Sequence, residues 1–219
     1  MIKENIHNFK KNIPENVTLV AVSKTKPIAD LKEAYDAGQR IFGENKVQEM
    51  VDKYEALPKD IQWHMIGHLQ SNKVKYMAPF VDLIHGVDSF STLKEINKQA
   101  AKNNRIINCL LQASIADEET KFGLSFEEIT AILASKEFAE MKHISIVGLM
   151  GMATFTNDTL KISSEFSSLK KLFDALKVSN PSLTILSMGM SGDYQIAIEN
   201  GSTMIRVGSS IFGNRNYIL

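Results

Sequence analysis

The sequence predicts a (β/α)8 barrel, an α/β fold of the TIM-barrel type, from its alternation of elements and the character of its strands. Eight short runs rich in Val, Ile and Leu alternate with helical patterns over nearly all of the 219-residue chain. Several runs are apolar at almost every position, as in Ile144–Met150, which is typical of parallel strands buried on both faces. A doubly wound open sheet also alternates, but it usually has a glycine-rich first βα turn, whereas residues 23–27 here contain no glycine.

The element boundaries follow from apolar runs ended by Gly, Ser or Asn and from helical spacing of apolar residues. The predicted strands are Val17–Val22, Arg40–Gly43, Ile61–Ile66, Val81–Val87, Ile106–Ala113, Ile144–Met150, Leu183–Met188 and Thr203–Val207. The predicted helices are Ile28–Ala37, a helix after Asn45, Ser91–Ala101, Ser125–Phe138, Leu160–Val178 and Asp193–Glu199. Capping-box patterns, Thr92-x-x-Glu95 and Ser125-x-x-Glu128, mark the start of two of these helices.

The composition is that of an ordinary globular protein, with 44% hydrophobic and 23% charged residues. The 25 basic and 25 acidic residues cancel, so no global charge attracts nucleic acid or an anionic membrane. The N-terminus has no apolar signal core, and no run reaches the roughly 18 apolar residues of a membrane span. We therefore expect a single domain over residues 1–219, located in the cytoplasm and bound to neither nucleic acid nor membrane.

Cysteine and histidine give little indication of chemistry. Cys109, the one cysteine, lies within an apolar run, so we expect it to be buried rather than a nucleophile. A single cysteine also fits a reducing compartment. His64 and His68 lack the accompanying Cys or carboxylate ligands of a metal site, and a satisfied core histidine is the better interpretation of His64. Phosphate-loop, zinc-protease and serine-hydrolase motifs are absent from the sequence.

The first strand carries a lysine toward the end of the barrel where sites of this fold lie. Val20, Val22 and Lys24 share one face by period-2 alternation. Partial burial would lower the pKa of the Lys24 amine and favour attack on a carbonyl group. The alternative is an ordinary solvated loop lysine, as we expect for Lys26.

The ends of the last two strands give the clearest signal of a binding site. Glycine and serine residues lie where each of these strands leads into a helix. Ser191 and Gly192 follow the seventh strand, and Gly208 and Ser209 follow the eighth. Backbone N–H groups at a helix start attract anions, and barrels often bind phosphate after strands 7 and 8. Plain turn chemistry is the alternative interpretation.

Three further polar residues lie at predicted strand ends. Arg206 shares a face with Gly208 and would be a permanent donor at the barrel mouth, unless it pairs with a nearby carboxylate. Glu44 and Asn45 follow the second strand, and Asn45 could orient a ligand oxygen. Helix capping is the more common role for both.

Five segments in the same order resemble the pyridoxal phosphate homeostasis proteins, which are relatives of the alanine racemase barrel. They are Val20-Ala21-Val22-Ser23-Lys24-Thr25-Lys26-Pro27, Phe42-Gly43-Glu44-Asn45, Trp63 through Lys73, Leu186 through Asp193, and Ile205 through Gly213. The resemblance spans nearly the whole chain and implies a fold-type III barrel that binds pyridoxal 5′-phosphate (PLP).

The resemblance implies a role for each matching residue. Lys24 would form a covalent aldimine, a Schiff base, with PLP. The expected cofactor contacts are Ser191, Gly208 and Ser209 for the phosphate, Met190 through its backbone, Arg206 for the pyridine nitrogen, and Asn45 near the ring.

The resemblance also implies a carrier that serves PLP homeostasis and delivers this vitamin B6 cofactor to PLP-dependent apo-enzymes. We expect no strong catalysis, because racemases of this class take a second base from an additional β domain, which this 219-residue sequence lacks. The alternatives are a weak amino-acid racemase or related PLP enzyme, and a Schiff-base aldolase without PLP. An edgeless barrel needs no partner, so we expect a monomer.

Overall fold

The computed structural model describes residues 1–117 and 122–213. Within them, eight parallel strands close into a barrel in chain order, and β8 pairs with β1. The strands are β1 (Thr18–Val22), β2 (Ile41–Glu44), β3 (Gln62–Met65), β4 (Leu83–Val87), β5 (Ile107–Gln112), β6 (Ile144–Met150), β7 (Ile185–Met190) and β8 (Met204–Val207). The predicted (β/α)8 fold is confirmed. The expectation of a single domain over residues 1–219 stays a prediction, because residues 118–121 and 214–219 lie outside the described part.

Helices surround the barrel and cover the outward faces of its strands. They are α1 (Ile2–Asn12), α2 (Ile28–Asp36), α3 (Val47–Ala56), α4 (Val74–Met77), α5 (Phe90–Lys102), α6 (Phe126–Ala134), α7 (Lys136–Ala139), α8 (Thr159–Ser179), α9 (Tyr194–Glu199) and α10 (Ser209–Phe212), with a 3-10 turn at Ser71–Lys73 before α4. Among the described residues, no helix is both long and apolar enough to cross a membrane.

Strand alternation sorts the apolar side chains into two layers. Outward residues such as Leu19 and Ala21 of β1 pack with the helices in the larger core. Val20 lies between them in sequence and belongs instead to a small cluster inside the barrel. That cluster consists of Val20, Leu83, Leu110, Met150 and Met204. Leu83 of β4 and Met204 of β8 point into the barrel, and the residue two positions later in each strand shares that face. Those residues are His85 and Arg206, so the inward positions nearer the mouth are polar.

Strand boundaries agree with the sequence where apolarity is continuous, and β6 begins and ends as predicted. The seventh strand was predicted at Leu183–Met188 but runs from Ile185 to Met190. The Leu183 N–H donates to the Asn180 carbonyl in the preceding turn, so the strand begins later. Gly189, at φ +100°, allows the chain to reach Met190 before turning into α9.

Several predicted helix ends move by one residue, and two helices also differ from their predictions in division or capping. The expected helix Ser125–Phe138 divides at Ser135, whose hydroxyl accepts from the Phe138 N–H and starts α7. The Ser125–Glu128 capping box is confirmed. The Thr92 capping box is wrong: Ser89 caps α5 by accepting from the Thr92 N–H, and the helix begins at Phe90.

Candidate functional site

Lys24 lies two residues beyond the end of β1, at the barrel mouth formed by the C-terminal ends of the strands. It is half-buried, and it continues the inward series that starts at Val20. Barrel closure pairs Val20 with Arg206 of β8, so the first strand lies beside the last. A Cβ added to Gly208 would be 3.2 Å from the Val22 carbonyl oxygen, which shows how closely the loop after β8 approaches the Lys24 strand.

The residues on both sides of Lys24 are held by three side chains, Glu44, Glu49 and Lys53, which we call the charged cluster. Lys53 Nζ donates to the Ser23 carbonyl and to one oxygen each of Glu44 and Glu49, all at 2.7 Å. Ser23 Oγ donates to Glu44 at 2.6 Å. The Thr25 N–H donates to Glu49 at 2.6 Å, with Thr25 in the left-handed region at φ +63°. The cluster therefore fixes the backbone from which Lys24 projects.

Capping is the wrong role for Glu44 and Asn45. Glu44 is the last residue of β2, fully buried, and its side chain pairs with Lys53 of α3. Lys46 is the residue before α3. Burial raises the pKa of Glu44, and the Lys53 ammonium opposes that shift. Asn45 is half-buried at the mouth, where its backbone contacts the loop after β3: a Cβ on Gly67 would lie 2.7 Å from the Asn45 carbonyl oxygen.

The loops after β7 and β8 meet, as the sequence predicted. Ser191 Oγ accepts a hydrogen bond from the Gly208 N–H at 3.2 Å. Ser209 is exposed and begins α10. Lys26 Nζ donates to the Phe212 and Gly213 carbonyls at the other end of that helix, at 3.0 and 3.1 Å, so it is half-buried rather than solvated as expected.

The Met190 backbone N–H already has a side-chain partner in this structure. Its N–H donates to the Asp193 carboxylate at 2.6 Å. A bound phosphate would compete with that carboxylate for the same N–H. The Met190 contact stays a prediction.

Arg206 lies inside the barrel and is 3% exposed. Its Nη1 donates to Ser187 Oγ at 2.6 Å, and its Nη2 donates to the Gly151 carbonyl at 3.2 Å. Burial lowers the pKa of the guanidinium to about 10, although the Asp193 charge opposes the shift. Arg206 therefore keeps its charge, and keeps every N–H as a donor, at neutral pH.

Three more polar side chains continue from Arg206 across the interior, and with it they form what we call the interior relay. Its members are Arg206, Ser187, His85 and His64. His85 Nδ1 is 2.9 Å from Ser187 Oγ, and His85 Nε2 is 2.9 Å from His64 Nδ1. His64 Nε2 faces an Asp82 carboxylate oxygen at 3.6 Å. His64, His85 and Ser187 are each no more than 2% exposed.

The prediction that His64 is a hydrogen-bonded core histidine is confirmed. Burial lowers its pKa, and Asp82 opposes the shift. Cys109 is buried as expected, and burial raises the pKa of its thiol. In the described part of the chain, no group of three His, Cys, Asp or Glu side chains could hold a metal ion.

Several residues of the site are absent from the sequence prediction. His85 could have been found, because it occupies an inward position in an otherwise apolar strand, Leu83–Val87. Lys53 and Glu49 carry no comparable signal, since Lys and Glu four residues apart are common on exposed helices. Their role depends on burial of Lys53 against β2, which the helix sequence does not specify.

The donor set of the mouth fits an aldehyde that carries a phosphate and a ring nitrogen. Lys24 offers an amine, the Ser191–Gly208–Ser209 region offers hydroxyl and backbone groups, and Arg206 offers a buried cationic donor. Gly208 has no side chain, so a ligand can approach its backbone directly. A side chain at this position would crowd Val22.

The sequence matches a family over nearly its whole length: residues 1–216 match "Alanine racemase, N-terminal domain". A pyridoxal phosphate homeostasis protein of Aquifex aeolicus is 39% identical over 201 residues, 91% of this chain and 87% of the relative. One from Escherichia coli K12 is 39% identical over 208 residues, 93% of this chain and 88% of the relative. The chain therefore belongs to the pyridoxal phosphate homeostasis protein family, and the predicted resemblance is confirmed.

Solved structures agree with this assignment. PipY of Synechococcus elongatus with PLP bound is 35% identical, with a TM-score of 0.89 over 97% of this chain and 100% of that chain. The same protein without PLP gives a TM-score of 0.92. An alanine racemase of Clostridium difficile, 14% identical with a TM-score of 0.78, shares the fold over 99% of this chain and 60% of that chain.

Proposed function

We propose that this protein binds PLP at the barrel mouth, with the cofactor joined to Lys24 as a Schiff base, and serves PLP homeostasis. The observation that carries the proposal is the pairing of β1 with β8, because β1 leads into Lys24 and β8 contains Arg206 and leads into Gly208 and Ser209. The PipY relative with PLP bound and the names of the curated relatives support the same ligand.

Each group of the mouth has a distinct part in the proposal. Lys24 would hold PLP through a C=N bond between its amine nitrogen and the aldehyde carbon, with one water molecule released for each bond formed. Ser191, Gly208 and Ser209 bind the phosphate, and Met190 adds a backbone contact if Asp193 releases its N–H. Asn45 lies near the ring. PLP supplies an electrophilic aldehyde and, in enzymes, an electron sink.

Arg206 supports a carrier rather than an enzyme. Arg206 is buried and keeps its charge, so a guanidinium placed at the pyridine nitrogen would donate to it, keep it unprotonated and make the ring a weaker electron sink. The protein would then hold and deliver the cofactor with little carbanion chemistry. We propose that it acts as a monomer in the cytoplasm and delivers PLP to apo-enzymes.

Borohydride reduction with peptide mapping tests the Schiff base directly. The full chain purified with PLP should show a visible absorption band that reduction removes, and mass spectrometry should find a pyridoxyl group on Lys24. Lys24→Ala should abolish the band. Lys26→Ala is the matched control and should retain it. A pyridoxyl group on Lys26, or loss of the band in Lys26→Ala alone, would show that the assignment to Lys24 is wrong.

Amino-acid turnover tests the carrier role separately. The PLP-loaded protein incubated with single L-amino acids should yield no sustained D-isomer or CO2. Continued turnover with an intact Lys24 adduct would overturn the non-enzymatic role while leaving the cofactor assignment in place.

A further inference from the structure

We propose that Ser187 and His85, backed by His64, are positioning residues that hold Arg206 as a fixed donor toward the cofactor ring. The proposal rests on the PLP-binding function above and names a part of the site beyond the expected cofactor contacts. Its basis is the interior relay, in which the direction of every hydrogen bond can be assigned from the chemistry of its members.

The assignment begins at Arg206, because a guanidinium has donors and no acceptor. Its Nη1 lies 2.6 Å from Ser187 Oγ, so the serine oxygen must accept there. Ser187 then has its own O–H to donate, and His85 Nδ1 lies 2.9 Å away. Among the described residues, His85 Nδ1 is the acceptor within hydrogen-bond distance of this buried O–H, so we assign His85 Nδ1 as unprotonated.

The same reasoning continues through the two histidines. A neutral imidazole with an acceptor at Nδ1 carries its proton at Nε2. His85 Nε2–H therefore donates to His64 Nδ1 at 2.9 Å. His64 in turn carries its proton at Nε2, which faces the Asp82 carboxylate at 3.6 Å. Every donor in the relay thus points from Arg206 toward Asp82.

The surroundings of the histidines favour their neutral forms. Burial lowers the pKa of His85 well below its usual value, and the Arg206 charge acts in the same direction, as would any charge on His64. Burial also lowers the pKa of His64, opposed by Asp82. A protonated His85 would place a second buried cation near Arg206, which is costly in a low-dielectric interior.

The relay restricts where the guanidinium can lie. Nη1 is held by Ser187 of β7 and Nη2 by the carbonyl of Gly151, which follows β6. A planar group with five N–H donors, fixed at two of them, holds its remaining donors in fixed directions within one plane. Removing the acceptor behind Nη1 should loosen this orientation and weaken the contact with the ring nitrogen.

Two amide substitutions at His85 separate positioning from simple space filling. Asn places a side-chain oxygen near the Nδ1 position, so His85→Asn retains an acceptor for the Ser187 hydroxyl. Gln places its amide near the Nε2 position, so His85→Gln retains the contact with His64 and loses that acceptor. Ser187→Ala removes the oxygen itself. Ser202→Ala is the matched control, since Ser202 is a buried serine whose one O–H donates to the Met188 carbonyl at 2.7 Å, with no hydrogen bond to the relay.

The experiment titrates each full-chain variant with PLP and records the Kd and the pH midpoint of the visible band. We expect His85→Gln and Ser187→Ala to weaken binding about tenfold and to shift the midpoint by about one pH unit, as expected when a buried charge-assisted contact is lost. His85→Asn and Ser202→Ala should stay within about threefold of the parent chain.

Equal Kd values and midpoints for His85→Asn and His85→Gln, or for Ser187→Ala and Ser202→Ala, would overturn the positioning role. Should the variants fail to fold, nitrogen-15 NMR of the unmodified protein is decisive, since an Nδ1-protonated His85 contradicts the relay. If the unmodified protein forms no reducible adduct on Lys24, the proposed function fails as well. An adduct with insensitive variants rejects the positioning role alone.

Discussion

The charged cluster and the interior relay support neighbouring parts of the same barrel mouth by different physical means. The cluster lies between β2 and α3, where buried Lys53 joins two carboxylates to the Ser23 carbonyl. The relay lies inside the barrel, where Arg206 is followed by a hydroxyl and two imidazoles. One fixes the backbone beside Lys24, and the other fixes a side chain, Arg206.

The difference shows how each support matches what it holds. A lysine that reacts covalently needs its Cα placed correctly while its long side chain moves, and ionic contacts to the flanking residues accomplish this. A guanidinium that recognises a ring nitrogen needs an orientation, which hydrogen bonds of assigned direction provide. Because the relay members behind Arg206 are neutral, they orient the cation without adding another buried charge.

The largest effect on stability should come from Lys53→Met. The substitution removes the cation and leaves Glu44, with its fully buried carboxylate, without a charged partner. Breaking a buried pair in this way costs about 3–5 kcal/mol in the free energy of unfolding. Urea denaturation measures the loss.

A double variant sharpens this prediction. Glu44→Gln combined with Lys53→Met removes both charges and should recover a substantial part of the lost stability. A double variant no more stable than Lys53→Met would show that charge pairing is not what the cluster contributes.

An acid-induced loss of stability should come next and should originate in the relay. Burial lowers the pKa of both His64 and His85, so below the unfolded value of about 6.5 the unfolded chain binds protons that the folded chain does not. Stability is then fully present above that pH and decreases as the pH falls. The slope should approach about 1.4 kcal/mol per pH unit for each histidine.

Urea midpoints at several pH values between about 7.5 and 5.5 would measure this slope. His85→Asn removes one of the two titrating groups and should reduce it. An unchanged slope in that variant would show that the acid sensitivity originates elsewhere in the chain.

The smallest effect should come from Glu49→Gln. The Glu49 side chain is 24% exposed, and a glutamine oxygen can still accept from the Thr25 N–H. We expect a loss below about 1 kcal/mol, because partly solvated ion pairs contribute little. Urea denaturation measures this loss in the free energy of unfolding. A loss as large as that of Lys53→Met would show that Glu49, and not Glu44, makes the main contribution of the cluster to stability.

Prediction from the sequence succeeded where a local pattern has a single structural solution. The apolar run Ile144–Met150 has 7 residues and is rich in β-branched side chains, which favours a buried strand over a helix, and it begins and ends as predicted. Ser125 and Glu128 form the predicted capping box. Thr92 and Glu95 fit the same pattern, but Ser89 caps the helix because a second hydroxyl lies three residues earlier, and the pattern cannot rank the two.

The sequence shows the candidate site residues but not the side chains that support them. Lys24, Ser191, Gly208 and Arg206 stand out at strand ends, and the structure brings the elements that carry them to one mouth. Glu44 was expected to cap a helix, because an acidic residue before a helix commonly does so. Its buried pairing with Lys53 depends on how α3 packs against β2.

The sequence by itself determined the barrel, the order of its strands and the strand ends where polar residues collect, since these follow from apolar periodicity along the chain. The tertiary structure alone decided that Ser187 meets Arg206, that His85 meets His64, and that Lys53 meets Glu44. These contacts join different strands and helices. The contact between His85 and Ser187, in the same relay, joins residues 102 positions apart in the chain. Their hydrogen-bond distances and burial come from packing between elements, which periodicity within one element does not record.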